Sequence, residues 1–186
     1  MIGVVFRLLE GKTVNLRVSE KKDLSLIAEW RNNPEFQGEH NLLIQESNAE
    51  LEKRYDNFRP DEKWFLIEKK DGTKIGLVIL ELEGEVQEIG YGIIPNERKK
   101  GYCTEAVKIA VDYLFLSKPI VRVQAHTNTK NTASQRVLEK AGLKKEGIVR
   151  KRIFVRGDWR DEFLCSILRE EWKEPRILTR ATENLG

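Results

Sequence analysis

The chain has 186 residues, 40% hydrophobic and 34% charged, which suits one domain that buries a core without disulfides and argues against disorder. Its 33 basic and 30 acidic residues leave a net charge of only +3, too balanced to imply nucleic acid. Cys103 and Cys165 form no CxxC pair, His40 and His126 lack metal-site spacing, no apolar run could span a bilayer, and the first residues carry no secretion signal; a cytoplasmic protein with no metal and no membrane association is expected.

Residues 11–17 alternate apolar and polar side chains and predict a first strand. Leu24, Ile27, Ala28 and Trp30 recur at helical spacing over 19–31, with Ser19 as the expected N-cap and Pro34 as the stop. Residues 33–45 read as a loop and 47–58 as a second helix. Strands follow at 64–67, 75–82 and 86–94, separated by Asp71-Gly72 and by Gly84, so three consecutive antiparallel strands are expected. Val107, Ala110, Val111, Leu114 and Phe115 form the apolar stripe of a helix over 104–116, which Pro119 ends. A strand at 120–125, a helix at 132–141 capped by Gly142, and strands at 148–155 and 159–167 around Gly157-Asp158 complete the series. One strand–helix–strand unit inside an otherwise antiparallel run predicts a mixed α/β (α+β) fold. Its sheet should be largely antiparallel and flanked by helices, in a single domain over 11–172 with a polar tail at 173–186.

The segment most suggestive of chemistry is Ile93-Ile94-Pro95-Asn96-Glu97-Arg98-Lys99-Lys100-Gly101-Tyr102-Cys103-Thr104, where a strand ends, a short basic loop follows and a helix begins. Helix N-terminal amides and the positive end of the helix dipole suit a pyrophosphate. Arg98, Lys99 and Lys100 would add charge there, and Gly101 would let the backbone approach closely. A solvated loop is the alternative on these residues alone.

Arg98-Lys99-Lys100-Gly101-Tyr102-Cys103 resembles the (Gln/Arg)-x-x-Gly-x-(Gly/Ala) loop of the GNAT acetyltransferase superfamily, with Cys103 in place of the small last residue. Glu88 to Ile93 resembles the strand before that loop. Asn131 to Leu143, together with Glu146-Gly147, Gly157, Asp161 and the segment from Leu168 to Trp172, resembles the branch of ribosomal-protein N-terminal acetyltransferases. The resemblance implies a GNAT-type fold and an N-acetyltransferase using acetyl-CoA (coenzyme A) as cosubstrate. Its acceptor is an amine: foremost a protein N-terminal α-amine, alternatively a polyamine, aminoglycoside or amino acid. A non-catalytic acyl-CoA-binding module is the rival reading.

By the same resemblance, coenzyme contacts fall on Ile93, Ile94, Arg98, Lys99, Lys100, Gly101, Tyr102, Cys103, Thr104 and Asn131. A backbone N–H at a strand bulge within Ile93 and Ile94 would receive the oxyanion, beside splayed strands that pair with the pantetheine arm. Glu88 matches the glutamate base of histone-type relatives, acting here through water, or else is a solvated strand carboxylate. Ser134 matches a serine that meets the departing thiol, and Asn131 has a second reading as a helix cap. Cys103 is expected to pack rather than react. Residues 148–155 offer no competing carboxylate. The basic side chains from Lys144 to Arg160 are expected to face solvent, so nucleic acid enters only through a ribosomal-protein substrate; a homodimer is compatible with this reading. An acidic acceptor groove would favour a small amine, and a neutral, apolar one a peptide.

Overall fold

The computed structural model describes residues 9–84 and 86–173. Eight strands form one sheet in the order β1-β2-β3-β4-β5-β6-β8-β7. They are β1 (Leu9–Glu10), β2 (Val14–Val18), β3 (Lys63–Lys69), β4 (Lys74–Glu83), β5 (Val86–Ile93), β6 (Arg122–Asn128), β7 (Lys144–Val155) and β8 (Asp158–Leu168). Every neighbouring pair is antiparallel except β5 and β6. The helices are α1 (Leu24–Asn32), α2 (Pro34–Gln37), α3 (Asn48–Asp56), α4 (Tyr102–Ser117) and α5 (Thr132–Ala141). This is the mixed, largely antiparallel architecture expected from the sequence. The tail expected at 173–186 lies, from residue 174 on, outside the described residues. Among the described residues no helix is long and apolar enough to cross a membrane.

Side chains on a strand alternate between faces, so a strand covered on both sides must be apolar throughout. The Trp64-Phe65-Leu66-Ile67 run of β3 has that property. Trp64 and Leu66 join α1, α2 and α3 in one core, whereas Phe65 and Ile67 join α4 in the other. Two compartments therefore lie on opposite faces of the sheet, with β5 exposed to both.

Several boundaries differ from the sequence reading. Ser19 caps nothing: it is buried and its N–H donates to the Trp64 carbonyl at 2.9 Å. A 3-10 turn at Lys21–Asp23 precedes α1, and Glu20 and Asp23 form its capping box. Asp23 is recruited by charge, since Arg17 grips it at 2.9 Å, Lys74 approaches at 3.0 Å, and Arg17 also holds Glu68 at 2.7 Å. Pro34 does end α1, because the residue before a proline is driven extended, and Asn33 has ψ 116°. The same proline is the first residue of α2, capped by the Asn33 side chain, so 33–45 is not all loop. Ser47 and Glu50 form a reciprocal capping box that starts α3. The last hairpin turns at Arg156 and Gly157, both at positive φ, one residue earlier than expected. β7 begins at Lys144 rather than 148, and its register against β8 shifts between Val149 and Ile153, where Lys151 has φ 49°.

Candidate active site

β5 and β6 pair at only two positions, Gln87 with Val123 and Glu88 with Gln124. Beyond Glu88 the two strands part, and the rest of β5 borders a wedge. Ile94 N–H donates to the Ile75 carbonyl at 2.9 Å, continuing the ladder with β4, which runs without a register shift from Val86 to Ile93. No bulge therefore exists at Ile93 and Ile94, and the Ile94 amide is already committed; that expectation is corrected. Antiparallel pairing alternates the direction of backbone groups, so the amides of Tyr91 and Ile93 point away from β4 and into the wedge. They are the donors placed to receive an oxyanion.

α4 begins at the mouth of this wedge. Gly101, at φ 87°, precedes its first residue, and no side chain caps the helix. The first intrahelical bond runs from Glu105 N–H to the Gly101 carbonyl, which leaves the amides of Tyr102, Cys103 and Thr104 without intrahelical partners. The Glu105 carboxylate, which would repel an anion, turns aside to accept from the Thr13 amide at 3.0 Å. Lys99, at φ 63°, adds a second left-handed residue, and such turns gather amides into anion-binding concavities. The basic side chains behave unequally. Lys99 is exposed, and Lys100 pairs with Glu97 at 2.9 Å. Arg98, expected to add charge at the phosphates, instead donates to the carbonyls of Ile93 at 3.2 Å, Glu35 at 2.6 Å and Phe36 at 3.1 Å. Its guanidinium ties the loop to α2. Cys103 retains some surface but is enclosed by protein atoms, and burial pushes its thiol up to about 12, which suits packing rather than reaction.

On the α4 side of the wedge, Tyr91 reaches from β5 to α5 and hydrogen-bonds Ser134, with its hydroxyl 2.8 Å from Oγ. Burial holds the Tyr91 phenol well above its ordinary pKa, so it remains a proton-bearing hydroxyl. The Asn131 side chain accepts from the Ser134 amide at 3.1 Å and caps α5. No tyrosine lies between Asn131 and Gly142, and the phenol beside Ser134 comes from β5 instead, which spacing along α5 could not reveal.

The opposite face of β5 carries Glu88, Gly90 and Gly92. A Cβ at Gly92 would meet the Phe36 ring at 2.9 Å, whereas one at Gly90 would meet only Ile79, at 3.6 Å. Phe36 thus covers Gly92, and Gly90 is left as the open floor of a trough between Phe36 and Glu88. At its acidic end Glu88 lies 3.1 Å from His126 Nδ1, and Arg152 lies 2.9 Å from Glu83, 3.6 Å from Glu88 and 3.5 Å from Glu162. Burial acts to raise the Glu88 carboxyl, but hydrogen bonding from His126 and the charge of Arg152 prevail, leaving it below the ordinary glutamate value. Glu83, Glu88 and His126 are close enough together to hold a cation, but the Arg152 guanidinium already stands among them. Most basic side chains of β7 are exposed as expected; Arg152 is turned inward by the shifted register between Val149 and Ile153. His126, Arg152 and Glu83 were not legible as site residues. A signal existed only for His126, which alternates with Gln124 on the strand beside Glu88.

Known proteins with this sequence pattern and shape agree on its family. The acetyltransferase (GNAT) domain family matches residues 13–144. The probable N-acetyltransferase YjcK of Bacillus subtilis is 32% identical over 175 residues, covering 87% of this chain and 97% of that protein. The [ribosomal protein uS5]-alanine N-acetyltransferase of Escherichia coli is 30% identical over 88 residues, 47% of this chain and 45% of its own length. The crystal structure of spermidine N-acetyltransferase from Vibrio cholerae in complex with CoA and spermine superimposes with a TM-score of 0.75 at 25% identity, covering 86% of this chain and 97% of that one. The uncapped α4 loop, the parted strands and these relatives lead to one conclusion: the chain belongs to the GNAT family and is an N-acetyltransferase.

Proposed function

We propose that the protein transfers the acetyl group of acetyl-CoA to a primary amine that enters along the trough over Gly90, between Phe36 and Glu88. The observation that carries this reading is the wedge between β5 and β6, which opens onto the uncapped N-terminus of α4. The pyrophosphate sits on the amides of Tyr102, Cys103 and Thr104, and the thioester lies in the wedge with its oxygen toward the Tyr91 or Ile93 amide. An ammonium has no lone pair, so the amine loses a proton toward Glu88, through an intermediary, before it attacks the carbonyl carbon. The tetrahedral adduct collapses, the C–S bond breaks, and the thiolate takes a proton beside Ser134 and Tyr91.

The acceptor reading turns on charge. Glu83, Glu88 and Glu162 face one guanidinium, so the acidic end of the trough favours a small cationic amine of polyamine type. The spermine in the Vibrio cholerae relative is consistent with that choice. A protein N-terminal α-amine is the second reading, favoured by the match to the uS5-alanine enzyme. Incubation with acetyl-CoA and a panel of polyamines, aminoglycosides, amino acids and N-terminal peptides, with free thiol as readout, tests both. Thiol release dependent on a polyamine supports the first. Release with peptides alone transfers the reading to the second, and amine-independent behaviour throughout removes the transferase proposal.

A further inference from the structure

We infer that His126 is the group that takes the proton from the acceptor amine, with Glu88 serving to hold and orient its imidazole. The inference deepens the acetyl-transfer reading and rests on it.

Strand register supplies the first argument. Glu88 pairs with Gln124 in the parallel ladder, so residues two further along, Gly90 and His126, lie level on the same face. That step sets His126 two residues, about 6–7 Å along the strand direction, beyond Glu88 toward the level of the Tyr91 amide, at the rise of about 3.3 Å per strand residue. Glu88 sits where the strands are still bonded, whereas His126 sits where they have parted. The Cβ-less Gly90 opposite leaves room for a ligand beside the imidazole.

Tautomer chemistry supplies the second. Nδ1 lies 3.1 Å from Glu88 Oε1, 3.8 Å from Glu83 Oε2 and 3.0 Å from Arg152 NH2. One nitrogen cannot donate to the carboxylate and accept from the guanidinium together. Arg152 has a carboxylate acceptor of its own in Glu83, at 2.9 Å, while its Nε, 3.5 Å from Glu162, forms no hydrogen bond. Nδ1–H therefore goes to Glu88, and the lone pair falls on Nε2, which forms no hydrogen bond among the described residues. The imidazole side chain is only 8% exposed and so is fixed in orientation. A carboxylate held below its ordinary pKa gains little from taking a proton itself, which agrees with Glu88 acting through the ring.

The proton count closes. One ammonium proton passes to Nε2, and the imidazolium is stabilised by Glu88, with Glu83 and Glu162 nearby. The freed lone pair forms the C–N bond, and the carbonyl π pair moves onto oxygen. When the adduct collapses, the C–S bond breaks and sulfur leaves with its electron pair. The second nitrogen proton ends on that sulfur.

The test compares wild type, Glu88→Gln, His126→Ala and the double variant, using an amine that wild type acetylates. Each single substitution should lower kcat about 100-fold or more, the usual scale for loss of acid–base catalysis. The double variant should be no worse than the weaker single, as for residues acting as one unit. Free imidazole should restore His126→Ala, and coenzyme affinity should stay within about twofold in all four proteins, which also reports folding. His126→Ala within about threefold of wild type, single losses that multiply in the double variant, or no imidazole rescue with coenzyme binding intact would each overturn the inference. A wild type that acetylates no amine instead overturns the transferase reading beneath it.

Discussion

Substitution at Gly101 separates backbone strain from charge at the start of α4. The residue has φ 87°, where an L side chain is strained, yet a Cβ there would meet nothing within 4 Å. Gly101→Ala therefore carries conformational strain alone, about 1–2 kcal/mol of folding stability. Gly101→Asp carries similar or smaller strain, since Asp tolerates the left-handed region, and adds a negative charge beside three unpaired amides. A charge about 5 Å from one phosphate charge is repelled by about 1 kcal/mol at an effective dielectric near 80 and about 3 kcal/mol near 20. Coenzyme A should accordingly bind Gly101→Asp about 5- to 150-fold more weakly than Gly101→Ala, while the two melt within a few degrees of each other. Titration calorimetry at low salt reads the ratio, which should shrink as ionic strength rises. Equal affinities for the Asp and Ala variants would show that the pyrophosphate does not sit at this helix end.

Gly90→Val places a branched side chain on the trough floor, so the acceptor KM should rise about tenfold or more with coenzyme affinity unchanged, as befits a change confined to acceptor binding; an unaltered KM would move the acceptor elsewhere. Arg17→Met strips a partner from buried Asp23 and Glu68, so about 3 kcal/mol and about 6–12 °C in Tm should be lost at pH 7. Burial acts to raise the Asp23 carboxyl, but Arg17, the Glu20 amide and Lys74 hold it well below its ordinary value. The stability it gives is therefore full above about pH 4 and is lost as pH falls through the depressed folded value, so the wild-type advantage should narrow in acid; a constant gap refutes the linkage. Exhaustive chelation should leave turnover unchanged, because Arg152 already occupies the space among Glu83, Glu88 and His126, and zinc-restored activity would contradict this.

Local rules carried the sequence reading far. Alternation and the Asp71-Gly72 turn are written in neighbouring residues, and the corresponding strands appear where they should. Failures arose where a distant partner decides. Asp23 rather than Ser19 governs the start of the first helical segment because Arg17 and Lys74 converge on it from β2 and β4. Arg98 looks like a phosphate ligand in its loop and becomes a tether only once α2 is folded beside it. Glu88 was identifiable by its place before the loop, but the imidazole that contacts it comes from β6, and the parallel register joining them is set by the whole crossover through α4. Arg152 depends on two extra residues in β7, a detail of ladder geometry with no residue-level signature.

The Arg98 tether has a thermodynamic consequence for the order in which substrates combine. The same guanidinium spans the loop that precedes α4, the helix proposed to hold the coenzyme, and the two carbonyls of α2, whose Phe36 ring walls the trough. Anything that steadies the loop also steadies that wall, so with the two substrates bound as proposed their affinities should share a linkage free energy. Reciprocity requires coenzyme A to tighten acceptor binding by the same factor as the acceptor tightens coenzyme A, with couplings of this kind typically about 5- to 150-fold. Arg98→Ala should reduce that factor toward one. Binding that is synergistic in the native protein would become independent, and an enzyme that favours a ternary complex would hold its two substrates as strangers.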